Sequence, residues 1–162
     1  MRTLNITRLA RIPSFVITMA ALATGATVTI DAQTEHQTIV GFGGTGINGS
    51  IDDLVDDMGL SVHRAVIEPE GGAFPSFSIL RQLKNKGVRT FIAVPWSPPA
   101  HMKDNNSTIN GGSLLPQYYS AFANHLGKYI TDFKSEVGTD LYAFSPQNEP
   151  RFPEPYNSCE YT

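Results

Sequence analysis

The sequence predicts an α/β fold built on a parallel sheet, on three observations. Apolar, β-branched runs of strand length alternate with runs of helical periodicity. Glycines and prolines punctuate the junctions between them. The chemically unusual residues (a glycine cluster, a tryptophan, an amide beside a carboxylate) all follow strand-like runs. Strands joined through helices run parallel by right-handed crossovers. A doubly wound sheet and a (β/α)8 barrel both satisfy this, and both gather chemistry where strands end.

The elements follow in order. Residues 26–33 (ATVTIDAQ) alternate apolar and polar positions and read as a strand. QTIVGFGG is a second extended piece running into glycines. SIDDLVDDMG reads as a short helix, with Ser50 as N-cap, acids in the first turns and Gly59 as the stop. Residues 60–69 form a β-branched strand closed by Pro69, and residues 76–86 a helix ended by Gly87. Residues 88–95 (VRTFIAVP) are another strand, followed by a long loop rich in polar residues, proline and glycine. In the next helix Tyr118, Phe122, Leu126, Tyr129, Ile130 and Phe133 recur at spacings of three and four, between Pro116 and Gly138. Residues 140–147 (DLYAFSPQ) read as a last strand with a buried stretch at Leu141 to Phe144. There is no internal repeat, low-complexity tract or interdomain linker.

The chain has 162 residues, enough for one domain with its own core. With 41% hydrophobic and 17% charged residues it is an ordinary globular mix. A net charge of -3 without a basic block excludes nucleic acid and anionic membrane surfaces as partners. Arg2, Arg8 and Arg11 followed by the apolar IPSFVITMAALA, with Ala21-Leu22-Ala23 as a cleavage site, read as a signal peptide over residues 1–23. That run is shorter than the roughly 20 residues a membrane span needs. A first buried strand or a poorly ordered terminus is the alternative. Removing the segment leaves a more acidic, secreted chain. The single Cys159 is a buried thiol, a free one, or one whose partner lies beyond residue 162. Asn48-Gly49-Ser50, Asn105-Asn106-Ser107 and Asn106-Ser107-Thr108 are glycosylation sequons.

GFGGTG (residues 41–46) is a literal G-x-G-x-x-G with Glu68 at the end of the following strand, so a dinucleotide-binding domain is one reading. Against it, that fingerprint requires a helix starting at the third glycine, whereas INGS intervenes here. The alternative is a glycine turn that lets the backbone come close at the floor of a cleft. Other chemistries find no support. G-x-S-x-G and H-E-x-x-H are absent. His36, His63, His101 and His125 lack metal-ligand spacing and read as surface or internally satisfied histidines. Asp52, Asp53, Asp56 and Asp57 read as a solvated helix face. No metal and no cofactor are expected.

Glu149 stands next to Asn148 between Pro146 and Pro150, a stiff setting for an acid/base beside a hydrogen-bond donor. An exposed loop acid beside a turn asparagine is the competing reading. Trp96, the one tryptophan, ends a strand just before Ser97-Pro98-Pro99, where an indole face suits a sugar ring and its N–H gives a polar handle. A core tryptophan is the alternative.

The stretches VPWSPPAHMKDN, GGSL, YYSAFANHLGKYI, LYAFSPQNEP and YNSCEYT, together with QTIVGFGGTG and LSVHRAVI, resemble glycoside hydrolase family 30 over about residues 37–162. That family includes glucuronoxylanases, β-1,6-glucanases, galactanases and glucosylceramidases. The resemblance implies a (β/α)8 barrel with a side β-domain and a retaining mechanism on a carbohydrate or glycolipid substrate. It implies Glu149 as acid/base, Asn148 on the sugar 2-hydroxyl, Trp96 lining the sugar subsite, and Arg64 supporting the active-site carboxylates. The family's nucleophile comes from the seventh strand, and about four βα units fit here, against roughly 250 residues for a full barrel. Glu154 and Glu160 follow the fourth strand and do not take that role, so no nucleophile is expected in this chain. The expectation is an incomplete barrel: a signal peptide (1–23), a side-domain strand (24–36) and the N-terminal part of the barrel (37–162). It would be inactive without its partner, the missing C-terminal half. His101 stands where the family often has a second tryptophan, and Glu68 and Glu70 are left unassigned. A carbohydrate-binding remnant without catalysis is the other reading.

Overall fold

The structure, a computed structural model, describes residues 28–29, 31, 33–34, 36–46 and 49–161. Residues up to Gln37 form a separate unit from the body that starts at Thr38. The expected signal peptide (1–23) and Asn48 of the first sequon lie outside the described residues. Half of the strand expected over 26–33 does too. Its described positions Val28, Thr29, Asp31 and Gln33 are exposed and carry no strand pairing. Asp31 instead closes a local turn, accepting from the Gln33 N–H at 2.9 Å and the Thr34 hydroxyl at 2.6 Å.

The body is built on four parallel strands: β1 (Gly43–Thr45), β2 (Val62–Ile67), β4 (Thr90–Pro95) and β5 (Ala143–Phe144). A two-residue strand, β3 (Ala73–Phe74), pairs antiparallel with the end of β2. The parallel strands lie side by side in chain order, β1-β2-β4-β5. A doubly wound sheet reverses its order at a switch point. Each parallel strand here is added beside its predecessor, which is how a barrel wall grows.

Helices α1 (Phe77–Lys86) and α2 (Tyr119–Val137) cover one face. Gly87 ends α1 at φ 127°, and left-handed Gly138 ends α2, where its N–H reaches the Lys134 carbonyl. Strand alternation aims Ala65, Ile67, Phe91 and Ala93 at the helices, where they meet Leu80 and Leu83 of α1 and Tyr129, Phe133 and Val137 of α2. Each large apolar side chain fully buried there contributes roughly 1.5–3 kcal/mol. The opposite positions, Arg64 and Val66 on β2 and Ile92 and Val94 on β4, share the other face, the one a barrel turns inward.

Several expectations change. Ile130 sits one step round α2 from Tyr129 and is exposed, so only one of the adjacent pair joins the core. The last strand is not buried. Ala143 and Phe144 are exposed and pair with β4 alone, and Tyr142 is 72% exposed, because apolar content is no guide to an edge position. Ser50 does cap its helix, accepting the Asp53 N–H at 3.2 Å, but the turn then widens into a π-helix over Asp53–Asp57. Asp52 and Asp56 are not merely solvated: at 2.7 and 2.6 Å they clamp Lys86 at the end of α1.

The glycine motif is strand rather than phosphate loop. Gly43 and Gly44 lie within β1, and the helix starts only after Ser50. A Cβ on Gly43 would collide with the Val62 carbonyl oxygen, and one on Gly41 would come within 2.5 Å of Ser61 Oγ. These glycines allow β1 to approach β2, and the dinucleotide fingerprint is not formed.

His63 is the unexpected core residue. It is neither at the surface nor satisfied: it is fully buried, meets Phe91 edge-on at 6.5 Å, and neither ring nitrogen has a partner among the described residues. Burial pulls its pKa from 6.5 to about 4. The unfolded chain therefore takes up a proton near pH 6.5 that the folded chain refuses until about pH 4. Its neutral burial is harmless above pH 6.5, and stability falls as pH drops through this window. Urea unfolding should lose about 2 kcal/mol of stability between pH 7 and 4.5 through this residue, and His63→Leu should remove most of that loss.

Candidate active site

The loops after β4 and β5 meet at the strand ends. Beyond β5 the backbone continues along β4: Ser145 N–H donates to the Ala93 carbonyl at 2.9 Å and Asn148 N–H to the Pro95 carbonyl at 3.0 Å. Between them Gln147 is buried, and its amide nitrogen reaches both the Trp96 and Asn148 carbonyls at 2.8 Å. This side chain locks the tryptophan loop to the segment carrying Asn148 and Glu149.

Arg64 projects from β2 across the inward face, and Nη2 donates to Asn148 Oδ1 at 2.6 Å. With its oxygen occupied, the Asn148 amide turns its nitrogen outward, and Nδ2 donates to Glu149 Oε2 at 3.0 Å. Arg64 thus supports the carboxylate through Asn148 rather than by direct contact. Glu149 is exposed and holds a positive φ of 43°, uncommon for a residue with a Cβ. Strained backbone of this kind clusters at functional sites.

Trp96 continues the inward-facing row of β4 and is half-buried. Its ring packs against Tyr156 with centroids 5.5 Å apart at 50°. The indole N–H is buried without an acceptor among the described residues, so it is not presented as the expected polar handle. Both rings border a cleft of about 460 Å³. The Tyr156 hydroxyl is pushed above its usual pKa by lost hydration, then by the Glu154 carboxylate, with a further contribution from the charge on Glu149.

The structure therefore joins Arg64, Asn148 and Glu149 by hydrogen bonds and brings Trp96 to the same rim through Gln147. Sequence reasoning missed Gln147, Tyr156 and Lys103. Lys103 is only 2% exposed, and Nζ donates to the Ser158 carbonyl at 2.6 Å, while burial pulls its pKa down. Ser158 Oγ accepts from Gly111 N–H at 2.9 Å and Glu154 N–H at 3.0 Å, tying the loop after Trp96 to the segment carrying Tyr156. Cys159 is fully buried with Leu114 and Phe122, and burial raises its thiol pKa, which fits the small-hydrophobe reading. Asn105 and Asn106 are both exposed, but Asn105 spends its amide nitrogen on the Ile109 and Gly111 carbonyls. Among the described residues no cluster of side chains could hold a metal.

No family model matches the chain. It is 30% identical over 141 residues to the glucuronoxylanase XynC of Bacillus subtilis strain 168, covering 77% of this chain and 33% of that one. It is 37% identical over 86 residues to the endo-1,6-β-D-glucanase BGN16.3 of Trichoderma harzianum, covering 45% and 17%. Among solved structures, the glycoside hydrolase family 30 subfamily 8 xylanase Xyn30A of Clostridium acetobutylicum matches with a TM-score of 0.67 at 34% identity, over 78% of this chain and 36% of that one. The family 30 xylanase C catalytic domain of Talaromyces cellulolyticus matches with a TM-score of 0.57 at 25% identity, over 78% and 40%. The chain spans about a third of the length of the first of these relatives.

Gln147→Ala should leave the Trp96 carbonyl without its donor, at a cost of about 1–3 kcal/mol in chemical denaturation. It should also shift the emission of Trp96, the sole tryptophan.

Proposed function

This chain belongs to glycoside hydrolase family 30, and on that premise we propose that it carries the acid/base side of a retaining glycosidase site acting on a β-linked polysaccharide. Glu149 is the acid/base, Asn148 the donor beside it, Arg64 the group that orients Asn148, and Trp96 a wall of the sugar subsite. The carrying observation is the hydrogen-bond chain from Arg64 through Asn148 to Glu149.

The chemistry runs in two steps. One carboxyl protonates the departing glycosidic oxygen while a second, about 5–5.5 Å away, attacks the anomeric carbon. The first carboxyl, now ionised, then takes a proton from the water that hydrolyses the glycosyl intermediate. The Asn148 bond to Oε2 leaves Glu149 Oε1 free to carry that proton. When the proton leaves, the same amide donates to a full negative charge and its bond strengthens. The prolines on either side of the Gln147 to Glu149 segment keep the carboxyl from turning away.

The second carboxylate, the nucleophile, is on this reading supplied by a later strand of the barrel, as the family resemblance implies. Residues 1–162 alone then bind sugar without cleaving it. The xylanases and β-1,6-glucanases among the relatives favour a polysaccharide substrate over a glycolipid. No described helix is long and apolar enough to cross a membrane. Residues 1–23 as a secretion leader and 24–36 as the start of a side β-domain complete the reading.

Titrating the 162-residue chain with β-1,4-xylo- and β-1,6-gluco-oligosaccharides should change Trp96 emission saturably. Trp96→Ala should abolish the heat of binding in calorimetry. Joining residues 38–162 to the remaining barrel of the Clostridium acetobutylicum xylanase should give an active enzyme. There Glu149→Gln should cut cleavage of unactivated glycosides by about 10²–10⁴-fold. Undiminished cleavage would remove Glu149 from the acid role.

A further inference from the structure

Resting on the sugar-site reading above, we propose that Glu68 sets the charge preference of the subsite against Trp96: its carboxylate takes hydroxyl hydrogen bonds from an uncharged pyranose and repels a uronate. Val66 pairs with Val94 and Ile67 with Pro95, so one step further Glu68 and Trp96 stand opposite each other beyond the ends of β2 and β4. Strand alternation keeps Glu68 on the inward face with Arg64 and Val66. Glu68 and Trp96 both line the cleft of about 460 Å³, within the size range of small-ligand sites. The other walls (Thr45, Val66, Phe74, Ile109, Tyr156 and Asn157) carry no formal charge.

The carboxylate is placed but unused. Glu68 N–H donates to the Gly72 carbonyl at 3.2 Å and the Glu68 carbonyl accepts from Gly71 N–H at 3.0 Å, so a tight turn fixes its backbone. The side chain is half-buried and makes no hydrogen bond or ion pair among the described residues. A rigid carboxylate with open lone pairs, facing aromatic rings, fits the two surfaces of a sugar: hydroxyls at the edge, C–H groups on the face. The cation on the same strand face, Arg64, is taken by Asn148. The carboxylates of Glu154 and Glu149 add their charge near Tyr156, another wall of the cleft. A sugar carboxylate placed against Trp96 meets like charge with no free cation among the lining residues.

The test uses two disaccharides that differ only in a glucose or a glucuronic acid unit, titrated into the 162-residue chain at low salt and followed by Trp96 emission. The wild-type chain should bind the neutral sugar at least tenfold more tightly, and the gap should shrink as salt rises. Glu68→Gln, which keeps the shape and removes the charge, should bring the two affinities within about threefold, chiefly by tightening the uronide. Circular dichroism and thermal unfolding check that the variant is folded, and Glu68→Ser, tested in parallel, should lose the same discrimination. Equal binding of both sugars by the wild type, or an unchanged ratio in a folded Glu68 variant, would overturn the assignment to Glu68 while leaving the sugar site standing. If neither sugar perturbs Trp96, the sugar-site reading fails and this inference with it.

Discussion

A guanidinium that reaches past one strand to an amide holds the candidate site together. Arg64 sits on β2, Asn148 follows β5, and β4 lies between them. The two residues are 84 positions apart in sequence. Because the arginine can only donate, it claims the Asn148 oxygen and forces the amide nitrogen toward Glu149. One charge-assisted bond therefore orients two further groups. Its geometry depends on β1, β2, β4 and β5 lying in chain order, since only then does the inward face of β2 look toward the end of β5.

A second clasp shapes the cleft beside that relay. Buried Lys103 and the Ser158 hydroxyl draw the loop after Trp96 onto the segment that follows Glu149. The bridge between Ile109 and Asn157 lies along this seam, and both residues line the cleft. The aromatic wall of Trp96 and Tyr156 is thus assembled from two loops. Gln147 joins them at the base, since its amide bonds the Trp96 carbonyl directly. Rigid rings above and a fixed carboxylate beside them are the ordinary composition of a surface that grips a sugar.

Much of this was legible in the sequence, for local reasons. Helix α2 shows its core stripe, and glycines mark both helix ends, because periodicity and capping are local. The proline-flanked amide and acid and the family motifs single out Glu149, Asn148, Trp96 and Arg64, and the structure brings these four to one rim. What escaped depends on tertiary placement. Leu141 to Phe144 look like a buried strand, yet only Leu141 packs against the core while Ala143 and Phe144 end up at a sheet edge. For the glycines of residues 41–46 the sequence argues for close backbone approach over a phosphate loop, but not that the approach is between β1 and β2. His63 and Lys103 are polar letters with no local sign that they are buried. Gln147, Tyr156 and Glu68 gain their places from register and loop closure, which no single stretch of sequence contains.

The most direct measurement is a crystal structure of the chain with a bound β-linked oligosaccharide. A sugar ring should lie on Trp96, with a Glu149 carboxyl oxygen within hydrogen-bonding distance of the bridging oxygen and the Arg64–Asn148 bond intact. An ordered sugar elsewhere on the chain, or one on Trp96 with Glu149 turned away from the bridge, would contradict this placement.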